Sequence, residues 1–211
     1  MLRTDVCEGN EIDIDESKLD ARLTISISVK GTENKVLIKE GLLGRGNLAI
    51  TIVASNCTIE IKKVHINKNL VVSILPAGGG VSTSNCNVIL CDGTIYNGTV
   101  SLLLSEINNS IIIGKNCLLA NNIRLSTSDS HTIYDNCSGI RLNPAASISI
   151  DDHCWICNDV VIYKNSHIPK DSVVASNSLV NKRFDGKGFV LGGIPAKILR
   201  NNINWDIKAR Y

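Results

Sequence analysis

The sequence predicts an all-β solenoid, and three observations carry that prediction. From Ile150 to Val180 an aliphatic residue returns at every sixth position without a miss, at Ile150, Ile156, Ile162, Ile168, Val174 and Val180. Two residues before the last five of these stand Cys154, Val160, Ser166, Ser172 and Ser178, all small. Aromatic residues make up only 4% of the 211, while Ile, Leu and Val dominate. A helix repeats every 3.6 residues and a strand every two, so a strict six requires the chain to turn a corner once per hexad and stack the same side chain inward. Alternation along each short strand points both positions the same way, with the small residue fitting the corner. Coils stacked about 4.8 Å apart leave an interior suited to aliphatic ladders, with little room for rings.

The same register runs upstream through Ile113, Leu119 and Leu125, but counting on by sixes from Leu125 misses Ile150 by one residue. Residues 126–147 are therefore an excursion that leaves the stack and returns to it. Closer to the N-terminus the rhythm relaxes into alternating runs, Leu23, Ile25, Ile27 and Val29, then Ile50 and Ile52, separated by Asn, Gly and Lys. Turn residues at short intervals with no helical pattern between them mark these as less regular coils of the same solenoid. The expected organisation is one domain: a leading segment over 1–22, the solenoid over 23–185 with its excursion, and a tail over 186–211. In the tail, Pro195 reads as the first residue of a short helix from Ala196, packed back by Ile198, Leu199 and Trp205.

Net charge is +2, which excludes a bulk attraction to nucleic acid or membrane. The ends differ: residues 1–20 hold two basic and seven acidic groups, and residues 182–211 hold seven basic and two acidic. The basic end suits either a phosphorylated ligand or plain solvent. Met1 to Asp20 is acidic without an apolar stretch, and no apolar run approaches the roughly 18 residues of a membrane span, so a cytoplasmic protein is expected. Its eight cysteines are then expected to be reduced and mostly buried. Cys154 and Cys157 form a CxxC, but the spacing falls out of the hexad register, and no second ligand pair accompanies it. His65, His153 and His167 do not have the spacing of a stacked zinc trio, so no metal is expected. Ala77 to Gly80 is glycine-rich, yet no Lys-Ser/Thr follows, which makes it a turn and not a phosphate cradle.

Interrupting a stack with about 20 mostly polar residues adds nothing to stability, so the excursion is the place to look for function. It reads TSDSHTIYD from Thr127 to Asp135 and continues through Arg141, Leu142, Asn143 and Pro144. Its one histidine is His131. Imidazole takes and gives a proton near neutral pH, and Asp129 or Asp135 is placed in sequence to orient it. The residues by themselves leave open whether His131 is a general base or a solvent-exposed loop residue with no task.

The succession IGKNCLLANNIRL, TSDSHTIYD, RLNPA, IDDHCWICNDVVI and GGIPAKILRNNINW resembles the hexapeptide-repeat acyltransferases, and among them bacterial capsule, O-antigen and sialic-acid O-acetyltransferases. The resemblance covers residues 105–205 in order, with the loop in place; the first hundred match only in style. It implies a left-handed parallel β-helix, triangular in section with three hexads per coil, forming a homotrimer with sites between subunits. Acetyl-CoA would be the cosubstrate, and a glycan or nucleotide-sugar hydroxyl the acceptor. His131 would be the general base, and Trp155 of the His-x-Trp hexad would line the site near the thioester, positioning CoA and helping to stabilise the oxyanion. Donor contacts carry over to Asn158, Ser176, Asn181, Lys182 and Lys197, and acceptor contacts to Asp129, Tyr134 and Arg141. Cys157 stands where the family has glycine, a departure expected to narrow the donor groove or slightly shift CoA. Two other readings stay open on sequence: a scaffold of the same fold without turnover, and an acetyltransferase acting on an amino sugar or small molecule.

Overall fold

Inward aliphatic residues set the architecture. The computed structural model describes residues 1–208. In it the chain winds through three sheets in turn, once per coil, with successive coils adding parallel strands. The first sheet runs from Leu2–Val6 to Leu179–Val180, the second from Glu11–Ile14 to His167–Ile168, and the third from Leu42–Gly44 to Ala196–Arg200. Helical backbone among the described residues is limited to two 3-10 turns, Glu16–Lys18 and Gly78–Gly80. The expected all-β parallel solenoid is the fold observed.

The hexad ladder is the core. In the third sheet Leu119 lies against Ile156, Ile156 against Val174 and Val174 against Leu191, all fully buried. In the first, Leu102, Leu125, Ile162 and Val180 stack in the same way. Each such side chain contributes about 1.5–3 kcal/mol by leaving water. The second inward positions Cys154, Val160, Ser166, Ser172 and Ser178 are buried as expected. So are Cys57, Cys86 and Cys117, but Cys91 and Cys157 are half-buried and Cys7 and Cys137 exposed, so half of the cysteines and not most of them are buried; all eight are free. Two rings are buried nonetheless, exceptions to the expected exclusion of aromatics: Tyr96, fully buried between Ile66 and Leu119, and Phe184 at the C-terminal end, 5% exposed.

Three hexads per coil holds only at the C-terminal end, where Ile150 pairs with Ile168 and Ile156 with Val174, each 18 residues on. Upstream, Ile25 pairs with Leu48 and Leu48 with Leu70, steps of 23 and 22. The first-sheet strands are longer there, with Thr24–Lys30 and Asn47–Val53 running seven residues each. That length produces the alternating runs and hides the six. The corners show a third hexad position that the aliphatic count overlooks: His153, Asp159, Asn165, Asp171 and Asn177, six apart, all have φ between 56° and 61°. Short or hydrogen-bonding polar side chains tolerate that left-handed backbone best.

Both ends differ from expectation. Leu2–Val6 pairs with Thr24–Lys30 and Glu11–Ile14 with Lys35–Ile38, so residues 1–22 form the first coil and not a separate leading segment. Their acidic excess is met by nearby bases: Glu11 pairs with Lys35 at 2.9 Å, Asp13 with Lys39 at 2.5 Å, Asp15 with Lys18 at 2.8 Å and Asp20 with Arg22 at 2.7 Å. The expected C-terminal helix is absent. Ala196–Arg200 is a strand that folds back antiparallel on Val190–Gly193, with Ile194 and Pro195 in the turn between Gly193 and Ala196. Proline is as well suited to a turn as to a helix start, and the sheet edge at Val190–Gly193 offered Ala196–Arg200 backbone partners that an isolated helix turn lacks. Ile198 and Leu199 consequently stay 45% and 63% exposed instead of packing a helix down. Residues 209–211 of the expected tail lie outside the described residues. No helix among the described residues is long and apolar enough to cross a membrane.

Candidate active site

Successive coils widen at one corner of the solenoid, between the first and second sheets. The chain leaves the stack there after Asn69–Ile74 and rejoins at Asn87–Leu90; two coils later it leaves after Ile123–Ser126 and rejoins at Ile148–Ile150. The second departure runs over 127–147, where the sequence predicted an excursion over 126–147; Ser126 still belongs to the strand. It is no slack loop. The amide of Leu142 donates to the Ile133 carbonyl at 2.7 Å and that of Asp135 to Ile140 at 2.8 Å, making a small antiparallel hairpin. Asp135 closes its turn by accepting from the amides of Cys137 and Ser138 and from the Ser138 hydroxyl, which hold its carboxyl below the usual range.

The base of this hairpin is pinned by buried polar groups. Glu106, in the short corner of the coil beneath, is only 6% exposed, and its carboxylate accepts both terminal nitrogens of Arg141, at 2.6 and 2.9 Å. The Ser128 hydroxyl adds a third bond at 2.5 Å. Arg141 foremost keeps Glu106 ionised and lowers its pKa against the opposing effect of burial. Asn143, 8% exposed, ties the histidine segment together: its Nδ2 donates to the His131 carbonyl at 2.8 Å and to Asp129 Oδ2 at 2.9 Å, and its Oδ1 accepts from the Ile133 amide at 2.7 Å. Lys164, one coil on, donates to Asp129 Oδ2 at 2.5 Å and to the Asn143 carbonyl at 2.9 Å. Burial raises the Asp129 pKa, but the bonds from Lys164 and Asn143 outweigh it and leave the carboxyl lowered.

This geometry revises several expected roles. Arg141 spends its bidentate face on Glu106, and Asp129 spends its carboxylate on Lys164 and Asn143, so both serve to hold the hairpin before they can serve an acceptor. Asp135 closes a turn, and Asp129 is committed to Lys164; the hydrogen bonds of neither run to the His131 ring. Tyr134 remains exposed at the hairpin. His131 is exposed, with its ring against Gly78 of the other widened corner. The residues that organise the loop, Glu106, Ser128, Asn143 and Lys164, escaped sequence reasoning because they come from three coils. The buried Asn143 beside Pro144 had no periodic signal to mark it.

Trp155 lies on a different face. It is an outward residue of the third sheet, half-buried between Leu118 and Val173. The tail supplies its cover: the Trp205 ring stacks on His153 with centroids 4.6 Å apart and approaches Trp155 at 5.9 Å. Trp205 is anchored by its indole N–H, which donates to the His153 carbonyl at 2.7 Å. His153 is itself held at Nδ1 by Asp171 at 2.9 Å, as a corner residue. A groove of about 240 Å³ opens under the tail, lined by Ile95, Leu118, His153, Trp205 and Ile207 among others. Asn158 and Ser176 stand at the next corner, where the Asn158 side chain accepts from the Asn121 amide at 3.0 Å and so also braces the stack. Cys157 is half-buried on this side, its thiol pushed up by burial, whereas Cys154 points into the core; the CxxC pair does not converge. Asn181 and Lys182 sit at the corner between the first and second sheets, with the Lys182 ammonium 5.1 Å over the Phe184 ring. Lys197 is exposed on the terminal strand. One chain therefore places Trp155, Asn158 and Ser176 on one side and His131, Tyr134, Asn181 and Lys182 on another.

No family model matches the sequence. A polysialic acid O-acetyltransferase of Neisseria meningitidis is 29% identical over 192 residues, covering 88% of this chain and 86% of the relative. A protein of the same name from Escherichia coli O1:K1 / APEC is 29% identical over 142 residues, covering 67% of this chain; the match spans 44% of that relative's length. The crystal structure of the polysialic acid O-acetyltransferase OatWY superposes over the whole chain and 93% of its own, with TM-score 0.78 and 26% identity. The polySia-specific acetyltransferase NeuO shares the fold at TM-score 0.78 and 24% identity over the whole chain and 84% of its own. In sequence along most of its length, and in fold along all of it, this chain is similar to polysialic acid O-acetyltransferases, which supports its reading as a hexapeptide-repeat polysaccharide O-acetyltransferase.

Proposed function

We propose that the protein transfers an acetyl group from acetyl-CoA to a sugar hydroxyl of a bacterial surface polysaccharide, directly and with His131 as the general base. The observation that carries this reading is the hairpin: buried charge and a buried asparagine are committed to holding an exposed imidazole away from the stack. That is an expense without return in a scaffold. The thioester is already activated, so no covalent enzyme intermediate is needed. His131 takes the hydroxyl proton as the oxygen forms its bond to the acetyl carbon, the carbon–sulfur bond breaks and the thiol of CoA leaves. General-base assistance of this kind contributes about 10²–10⁴-fold. An N–H donor at the developing oxyanion, from Trp155 or a nearby backbone amide, contributes about 3 kcal/mol more.

The donor's phosphates call for cations and its acyl end for an apolar, water-poor wall. Lys182 and Lys197 supply exposed ammonium groups, and the half-buried Trp155 beside the groove under Trp205 supplies the wall, so the residues present fit the cosubstrate. Because His131 and Trp155 occupy different faces of one chain, a site that uses both takes one from each of two copies, which is the reason to expect an oligomer; three copies is what the resemblance implies. A cytoplasmic location follows from the need for acetyl-CoA. The test is release of free CoA thiol with a panel of polysaccharides and nucleotide-sugars, for the native protein and for His131→Ala. Loss of turnover in the variant with its fold intact supports the assignment; acetylation at the native rate refutes it.

A further inference from the structure

We propose that Gly78 is a positioning residue for His131: the glycine turn at 77–81, two coils away in the stack, is the seat against which the imidazole is aimed. The proposal rests on the general-base reading of His131. The His131 ring approaches the Gly78 backbone more closely than a side chain there leaves room for. A Cβ on Gly78 would stand 2.9 Å from His131 Cε1 and 3.1 Å from its Nδ1, with the Ser130 carbonyl oxygen at 3.0 Å. At 2.9 Å something has to shift and 3.0–3.1 Å is tighter than most real Cβ contacts; two of the three atoms belong to the exposed ring, which is the part able to move.

Conformation does not explain the glycine at this position. Gly79 and Gly80 have φ of +77°, where side chains are strained, but a Cβ on either meets open space within 4 Å. Gly78 is the reverse: its φ lies outside the left-handed region, so an alanine is tolerated by the backbone and displaces the histidine ring. The turn does not drift relative to the hairpin, because the coil between them ties both. The Thr83 hydroxyl donates to the Leu75 carbonyl at 2.8 Å and accepts from the Glu106 amide at 2.9 Å, and the Glu106 carboxylate holds Ser128 and Arg141. Asn143 fixes the backbone of His131 from one side while Gly78 bounds its ring from the other. With the main chain held and one side of the ring blocked, the rotamers open to the imidazole are few, which is the preorganisation that proton transfer requires.

The experiment compares Gly78→Ala with Gly80→Ala in the full-length protein. Gly80→Ala strains the same turn without touching the ring. Two readouts are taken: steady-state acetyl transfer, separated into kcat and acceptor KM, and the His131 ring resonances in ligand-free protein labelled at histidine, assigned by their loss in His131→Ala. Gly78→Ala is expected to shift those resonances and lower kcat by about 10- to 100-fold with KM little changed, as a displacement below 1 Å of a reacting group does. Gly80→Ala is expected to leave both within about two-fold of native. Equal effects of the two variants, or unmoved His131 resonances in a folded Gly78→Ala protein, overturn the proposal. If His131→Ala itself transfers acetyl groups normally, the general-base reading fails instead, and the resonance shift still reports whether Gly78 seats the ring.

Discussion

Replacing Arg141 by methionine separates the two roles that this residue has been given. As an acceptor contact, its loss raises acceptor KM and leaves the fold alone. As the partner of Glu106, its loss strands a carboxylate that is 8% exposed at its side chain, with the Ser128 hydroxyl as its remaining side-chain donor. Breaking a buried ion pair from one side costs about 3–5 kcal/mol. Arg141 is itself 33% exposed at its side chain, so part of the interaction is screened and about 3 kcal/mol is the appropriate figure. That cost falls on the hairpin first. The measurement is amide hydrogen exchange at pH 7, read at Ser130 and Ile133, whose N–H groups donate to the Ser128 hydroxyl and to Asn143 Oδ1 at 2.8 and 2.7 Å. A loss of 3 kcal/mol accelerates exchange through local opening by about two orders of magnitude, while amides of the Ile156 and Ile162 coils keep native protection. A double-mutant cycle with Glu106→Gln assigns the coupling to the pair. Unchanged protection at Ser130 and Ile133, together with a raised acceptor KM, would falsify the pinning role.

Acid should loosen the same hairpin: Glu106 is held below its ordinary value of 4.5 chiefly by Arg141, so the stability it lends is complete above that value and is lost as pH falls through the lower folded one. Exchange at Ile133 measured from pH 6 to 3 checks the direction, and protection that grows on acidification contradicts it. Tyr96→Phe is expected to stabilise the protein by about 1 kcal/mol, because the Tyr96 hydroxyl is buried without a partner, and denaturant unfolding reads the gain. Ile156→Ala, at a fully buried rung, should cost about 2–5 kcal/mol in the same assay. Trp205→Phe leaves Trp155 as the only indole in the chain; Trp205→Ala should in addition shift its emission to the red as the cover at 5.9 Å is removed, and equal spectra for the two variants count against the tail as a cover.

The readable parts of the sequence were those in which each residue acts through its own period. Ile150 to Val180 announced the corner-turning stack because hydrophobic burial is local to a rung and repeats with it. The excursion was found by the same count, since a single residue out of phase between Leu125 and Ile150 is visible in one dimension. Where strand length changed, as at Thr24–Lys30, the period changed with it and only the alternation survived. Pro195 shows the opposite limit: a proline signals an interruption, but whether a helix or a hairpin follows depends on the sheet edge waiting at Val190–Gly193.

By itself, then, the sequence determined the solenoid, the segment that breaks its hexad count and the histidine on that segment, because aliphatic spacing and its interruption are properties of the chain alone. Tertiary structure decided what holds that histidine. Glu106, Asn143, Lys164 and Gly78 meet around the hairpin only because coils of 22 to 37 residues stack in register, as Leu48 on Leu70 and Arg124 on Val161 do. A contact made by stacking is fixed by coil length and corner geometry, and no window of sequence shorter than a coil contains both of its partners.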